Sequence, residues 1–352
     1  MKRRSMPVVR VPNPRMVVLG TFKGMGDFLS AAPIAVAELN AGMSVVILAF
    51  PAIRELIGLM DFGENSHNLR VISLPSKRSL AGILDFFRQL SALSPGIVWV
   101  SPHAPAAARS WRVPLFLWTA KSLFWRHALL AGAESERLSG LFDVRFPVDR
   151  KMPLAIREWT AYAMMRWGQG GAPTPIRFRA SLDQHRAAKP VVDILIHPGA
   201  NAANRRWDVE HFAELIGLLP NTYRIGVVGV PKDIEAIKSS VGPDRNIQYF
   251  VGSLEDAIAS IARTRVLLSM DSGTTFFARA LDIPNVALFG PVDPANVHEA
   301  REHFMPVYER KWSCQPCGDA RCRYETNYCM KSLQPARVAA ELLKALQTSQ
   351  KE

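Results

Sequence analysis

Ile194-Leu195-Ile196 running into His197-Pro198-Gly199-Ala200 and Arg205-Arg206-Trp207, and Val266-Leu267-Leu268 running into Asp271-Ser272-Gly273-Thr274-Thr275, are the passages within residues 191–294 from which the fold is read. In each, an apolar run of strand length leads through a polar, glycine-bearing loop into a helix-like segment, 209–219 in the first and 275–281 in the second. Strand, loop and helix in repetition predict a parallel sheet, whose ligands bind at the loops leaving the carboxyl ends of the strands. A helix N-terminus at such a loop offers free N–H groups and partial positive charge to a phosphate. Ser272, Gly273, Thr274 and Thr275 suit that role, because small residues let the backbone approach an anion and the hydroxyls add donors. With Pro198, Gly199 and Ala200 in the first loop, they predict a site for a diphosphate-linked donor.

Working outward, the second half alternates strand-like and helix-like segments at 192–197, 209–219, 223–228, 233–241, 254–264, 266–270, 275–281 and 285–289. The first half does the same at 16–19, 27–39, 44–50, 53–60, 71–74, 80–93 and 97–100. Between them, 101–179 reads as irregular and holds Trp111, Trp118, Trp125, Trp159 and Trp167. The expected architecture is α/β: two Rossmann-like, doubly wound domains facing one cleft. The boundary falls within 169–190, rich in Gly, Pro and Ala, which divides the chain into 1–175, 176–334 with a Cys-rich tail, and 335–352. Residues 335–346 read as an amphipathic helix of the kind that crosses back in two-lobed folds.

With 352 residues, 48% of them hydrophobic, the chain is long enough for two cores and too apolar for disorder. No apolar run reaches the roughly 18 residues needed to span a bilayer. Residues 1–15 are basic but lack the apolar core and cleavage site of a secretory signal, so a cytoplasmic protein is expected. A formal charge of +12 calls for an anionic partner. Without a run of five basic residues, or an RNP, zinc-finger or helix-turn-helix pattern, nucleic acid is not the expected one. An acidic glycolipid at the inner-membrane surface fits better.

Several side chains carry candidate chemistry, each beside a plainer alternative. Asp27 follows the first strand in a glycine-flanked turn and opens a helix, which suits a reacting carboxylate and equally an N-cap. Lys23 is placed to touch an acceptor phosphate or only solvent. Of the Arg pair, Arg205 is the candidate for the diphosphate, although such a pair is also an ordinary surface feature. Asp271 would be repelled by a diphosphate, so its role is to organise the loop or to meet sugar hydroxyls. Asp233 is placed to accept from ribose hydroxyls or simply to begin a helix. The stretch 111–126 mixes Trp, Leu and Phe with Arg112, Lys121 and Arg126, as an interfacial element or a buried helix pair would. Cys314, Cys317, Cys322 and Cys329, the chain's only cysteines, have a spacing able to enclose a structural Zn or Fe, or else remain free thiols. No cofactor is required for the expected chemistry.

The ordered motifs Gly24-Met25-Gly26-Asp27 with Ala31-Ala32-Pro33, His197-Pro198-Gly199-Ala200 with Arg205-Arg206-Trp207, Met270-Asp271-Ser272-Gly273, and Ala287-Leu288-Phe289-Gly290-Pro291 with Asp293-Pro294 resemble a known family. It is glycosyltransferase family 9, the lipopolysaccharide heptosyltransferases and their relatives, inverting enzymes of the GT-B fold. The resemblance implies transfer of a heptose from ADP-heptose to a lipopolysaccharide core or related anionic glycan. It also implies Asp27 as the base, with Lys23 and Gly26 on the acceptor side. Two departures stand out. Arg205 occupies a position usually held by Lys, and Phe276 one usually held by His. They leave open another nucleotide sugar, a protein acceptor, or a donor-binding protein without turnover.

Overall fold

A computed structural model describes residues 14–21, 24–75, 79–101, 112–133, 139–146, 152–187, 189–242, 245–319 and 321–348. The chain divides into two compact units, Met1–Ile176 and Arg177–Glu352.

The first unit is built on six strands: β1 (Met16–Gly20), β2 (Ser44–Ala49), β3 (Leu69–Ser73), β4 (Ile97–Val100), β5 (Leu129–Ala133) and β6 (Val144–Phe146). They are hydrogen-bonded in the order β3-β2-β1-β4-β5-β6, every pair parallel. Val17, Val18, Val45, Val46, Ile47 and Val98 are buried, as near-continuous apolar runs must be when helices cover both faces of a sheet. The helices are α1 (Met25–Asn40), α2 (Pro51–Leu59), α3 (Leu80–Ser91), α4 (Arg112–Leu123) and α5 (Leu154–Trp167). Phe86 and Leu90 of α3 share one core with Leu117 and Ala120 of α4, and Trp125, just beyond α4, joins it. Helix α5 lies along α1, where the wholly buried Glu38 accepts from Tyr162 Oη at 2.7 Å and Arg166 Nε at 2.8 Å. A buried charge is tolerated only when paired in this way.

The region 101–179 is therefore more regular than its composition indicates. Besides α4 and α5 it supplies β5 and β6, strands of five and three residues that are too short for a periodic signal. Trp111 lies outside the described residues.

The second unit repeats the plan. Strands β7 (Val192–His197), β8 (Ile225–Val228), β9 (Ile247–Phe250), β10 (Thr264–Met270), β11 (Asn285–Phe289) and β12 (Phe304–Tyr308) form a parallel sheet in the order β9-β8-β7-β10-β11-β12. Its helices are α6 (Ala180–Ala187), α7 (Val209–Leu218), α8 (Pro231–Ser240), α9 (Leu254–Ala262), α10 (Gly273–Ala280), α11 (Tyr328–Lys331) and α12 (Pro335–Thr348). Helix α12 packs on α7, β10 and β11. Val338, Leu342, Ala345 and Leu346 form its buried stripe.

In both sheets the chain starts in the middle, winds one way for three strands, then returns to wind the other way. The order reverses between β1 and β4 in the first sheet and between β7 and β10 in the second. Such a switch point parts the loops at the carboxyl ends of the strands and opens a crevice where ligands bind.

Candidate functional site

In the second unit β7 and β10 are neighbours, Ser269 opposite His197, so the loops leaving them meet. His197 is half-buried, and its Nδ1 lies 3.3 Å from Thr274 Oγ1. Desolvation lowers its pKa to about 4, with the Asp233 carboxylate opposing and the Arg206 cation reinforcing the shift, so the ring is neutral at physiological pH. A Cβ at Gly199 would stand 3.0 Å from Asp233 Oδ2 and 3.1 Å from the His197 ring, so a side chain there would have to press both aside.

Both arginines of the following loop are engaged by carboxylates. Arg206 donates from Nε to the Ala200 carbonyl at 2.9 Å and from Nη1 to Asp233 Oδ1 at 2.7 Å. Arg205 Nη1 lies 3.1 Å from Oδ2 of the buried Asp271. The repulsion expected between Asp271 and a diphosphate is thus already countered by a guanidinium. Trp207 anchors the loop, buried and donating to the Leu333 carbonyl at 3.1 Å. Asn204 donates to the Asp319 carbonyl at 2.9 Å, and Asn327 to that of Arg206 at 3.0 Å. The tail thereby holds the arginine loop.

Ser272 is the N-cap residue of α10, Gly273 the first helical residue, and the Ser272 and Thr274 hydroxyls lie 2.7 Å apart. The first N–H groups of a helix have no partner within it, so this end is suited to an anion. Thr275 departs from expectation. Its hydroxyl turns inward, donating to the Met270 carbonyl at 3.1 Å and meeting Ser269 Oγ at 3.0 Å, while Ser269 donates to Asn285 Oδ1 at 3.1 Å. It braces the loop from beneath, because Thr on the inner side of a helix start finds a free carbonyl one turn back.

In the first unit Asp27 stands at the third position of α1, half-buried, and its Oδ2 accepts from the N–H of the N-cap Gly24 at 3.2 Å. Gly26, in the same turn, accepts from Ser30 Oγ at 3.0 Å through its carbonyl. The N-cap itself is Gly24 rather than Asp27, whose carboxylate instead holds the N-cap N–H from the third helical position. Lys23 lies outside the described residues. Behind Asp27, at the same end of the sheet, is a residue the sequence offered no sign of: the wholly buried Glu158 of α5. It accepts from Trp99 Nε1 at 3.1 Å and Ser101 Oγ at 3.0 Å. Desolvation, with the Asp27 charge adding to it, pushes Glu158 up to about 8 against these two hydrogen bonds and Arg157, so it holds its proton at neutral pH.

Phe276, in the position that departs from the family pattern, packs its ring 4.5 Å from that of His298. His298 is buried, and desolvation followed by the Arg279 charge lowers it to about 3. The four cysteines carry free thiols, and among the described residues no three His, Cys, Asp or Glu side chains are grouped so as to hold a metal ion. Cys329 is a packing residue under Gly290, where a Cβ would come within 3.0 Å of its Sγ. Burial raises its thiol to about 11, with the other three cysteines adding to the effect.

Sequence reasoning passed over Arg206, which fixes Asp233, and the Ser269–Thr275–Asn285 chain. The Arg206-Trp207 pair carried the signal for the first, while nothing in the spacing betrayed the second.

Residues 119–327 match glycosyltransferase family 9 (heptosyltransferase). The chain is 23% identical over 157 residues to lipooligosaccharide heptosyltransferase 2 of Campylobacter jejuni, covering 42% of this chain and 50% of the relative. It is 26% identical over 215 residues to lipopolysaccharide heptosyltransferase 2 of Escherichia coli, covering 54% and 59% respectively. The matched stretches thus span less than two thirds of these relatives. Among solved structures the chain resembles E. coli heptosyltransferase WaaC with ADP at a TM-score of 0.69 and 17% identity, covering 94% of this chain and 99% of the other. That likeness is one of fold, the two-domain GT-B arrangement of Rossmann-like units.

Proposed function

The chain belongs to glycosyltransferase family 9, and from that premise we propose that it moves a heptose, or a closely related sugar, from ADP-heptose to a lipopolysaccharide core or related anionic glycan, with inversion. The observation that carries the reading is the pairing of Arg205 with the buried Asp271 beside the N-terminus of α10. A guanidinium held in place by a carboxylate, next to helix N–H groups, is a prearranged seat for a diphosphate leaving group. E. coli heptosyltransferase WaaC, a protein of the same fold, is known with ADP, which supports a nucleoside diphosphate as the class of leaving group.

In this reading Asp27 accepts the proton of the acceptor hydroxyl as its oxygen attacks the anomeric carbon. The new glycosidic bond forms on one face while the bond to the diphosphate oxygen breaks on the other, and the electron pair leaves with ADP. Arg205, Ser272, Gly273 and Thr274 meet the growing negative charge; Asp271 keeps Arg205 oriented. Asp233, held by Arg206, faces the nucleoside along with Pro198, Gly199 and Ala200. Gly26 and Lys23 serve the acceptor, and the protein works at the cytoplasmic surface of the inner membrane. The cysteines have a structural role outside this chemistry.

A second reading, nucleotide-sugar binding without turnover, is favoured by one observation: Phe276, packed against His298, leaves the ring nitrogens of a His absent from that turn. Incubation of the purified protein with ADP-heptose and a core acceptor decides between them. The first predicts a product one heptose heavier, with inverted anomeric configuration, and stoichiometric ADP. Donor-induced thermal stabilisation with neither product nor hydrolysis would establish the second. Failure to bind any sugar nucleotide would sink both.

A further inference from the structure

At the amino edge of β11 and β12, the opposite edge from the loops of the candidate site, the second unit holds a cavity of about 180 Å³. Its walls are Thr275 and Arg279 of α10, Ile283 in the turn that follows, Asn285 at the head of β11, His298, and Phe304 at the head of β12. A protein cavity of about 150 Å³ takes up benzene, so this one has room for a molecule of roughly six to nine non-hydrogen atoms. Ile283 and Phe304 give it an apolar lining, and the polar groups are few, as in other small-molecule sites.

Two of those walls are buried polar side chains with atoms left unmet. His298 is 3% exposed and Asn285 2%. Neither ring nitrogen of His298 has a hydrogen-bond partner, and Asn285, whose Oδ1 accepts from Ser269, has none for its Nδ2. The rings packed on His298 are those of Phe276, Phe304 and Phe289, at 4.5, 4.9 and 6.1 Å, and they offer it no acceptor. A buried donor left unmet costs about 1–3 kcal/mol, and folded proteins tolerate few of them.

The charges at the cavity select what would meet them. Arg279 and Arg301 both reach one carboxylate, that of Glu299, so the acceptor nearest them is already shared between two guanidinium groups. Burial and then the Arg301 charge weigh against the Arg279 cation, and an anion beside it would offset both. The other acids of the lining, Asp282, paired with His303 at 3.2 Å, and Glu302, are exposed, where solvent and salt screen them. The deep wall thus presents N–H groups from Asn285, His298 and Arg279, and lacks an acceptor for them.

We propose that this cavity binds a small organic carboxylate, its oxygens meeting Asn285, His298 and Arg279 and its carbon body lying against Ile283 and Phe304. The site is distinct from the loops that head α7 and α10, and it does not depend on the transfer reading.

The test is titration of the full chain with benzoate and with benzamide, a neutral molecule of nearly the same shape, followed by calorimetry and by the ring signals of nitrogen-15-labelled histidine. Benzoate is expected to bind saturably, to shift the signal that disappears in His298→Phe, and to bind at least about tenfold more tightly than benzamide. Asn285→Asp keeps the acceptor for Ser269 but sets a carboxylate where the unmet amide stood, and should abolish binding. Arg279→Gln should weaken it at least about tenfold; thermal melts of both variants check that they are folded. Arg205→Ala alters the other site and should bind benzoate as wild type does. Absence of saturable binding, equal affinity for benzamide, a His298 signal that stays in place, full binding by a folded wall variant, or loss of binding in Arg205→Ala would each overturn the proposal. Neither donor nor acceptor enters the measurement, so its failure is separable from failure of the transfer reading.

Discussion

The two halves of the chain share one strand order and handle charge in opposite ways at its switch point. In the second unit the acids come with partners: Arg205 with Asp271, Arg206 with Asp233, Arg224 and Arg265 with Asp193. Its composition is close to neutral, and the anion seat proposed for it is made from oriented donors. In the first unit Asp27 stands before a second carboxyl, Glu158, that burial keeps protonated. On the proposed reading, one topology therefore offers guanidinium and helix N–H groups to an anion in one copy and a proton acceptor in the other. Shared fold fixes where a site lies, while a handful of side chains decides which charge it welcomes.

The largest expected effect breaks the comparison on the side of the first unit. Asp27→Ala is expected to cut turnover by about 10²–10⁴-fold while donor affinity, measured by titration calorimetry, stays within about twofold. An equally active variant would remove the assignment of the base. The complementary change, Arg205→Ala, is expected to lower kcat/KM by about 10²–10³-fold. It should also weaken donor binding, because it strips the buried Asp271 of that guanidinium. Arg205→Lys should recover part of both; recovery by Lys but not donor weakening by Ala would argue that Arg205 only stabilises the loop.

The contrast also predicts opposite pH sensitivities. Folded protein keeps a proton on Glu158 that the unfolded chain releases above about 4.5, so this group's contribution is present at low pH and lost as pH rises toward 8. Glu158→Gln keeps the acceptor for Trp99 and a donor for Ser101. It should raise stability at pH 8 by up to about 4 kcal/mol and leave it unchanged near pH 4.5, as thermal melts would read. In the second unit His197 and His298 are held neutral, at about 4 and about 3, so protonation favours the unfolded chain as pH falls below 6.5. His298→Phe should flatten that acid limb and leave the alkaline one alone. The smallest effect sharpens the description of the loop that heads α10. Thr275→Val preserves shape but deletes the brace to Met270 and Ser269, and should cost about 1–3 kcal/mol in denaturant melts with little change in kcat.

Both halves announced their inner strands, because runs such as Val45 to Leu48 and Val266 to Leu268 are apolar on both faces and flanked by loop residues. The margins were quieter. Strand β9 has only half-buried residues and an exposed Gln248, and β12 carries Pro306, tolerated because an edge strand has one side without a sheet neighbour. At the site, the residue types of the donor loops were legible from small residues and paired arginines. Their partnerships were not: that Arg205 meets Asp271 and Arg206 meets Asp233 depends on loops 66 and 27 residues apart in sequence being brought together. Thr275 read as a ligand contact because sequence gives a hydroxyl no direction. Glu158 went unseen because nothing in a helical stretch distinguishes an inward glutamate from a solvated one.

The loop 204–207 takes supports from Asp319, Asn327 and Leu333, residues added to the growing chain more than a hundred positions later. A ribosome that stalls or terminates before Leu333 thus releases a protein whose second sheet is fully translated but whose arginines lack their scaffold. Completion of this loop is in this sense delayed to the end of translation, and on the proposed reading nascent chains have no finished place to capture sugar nucleotide until the last helix is nearly due.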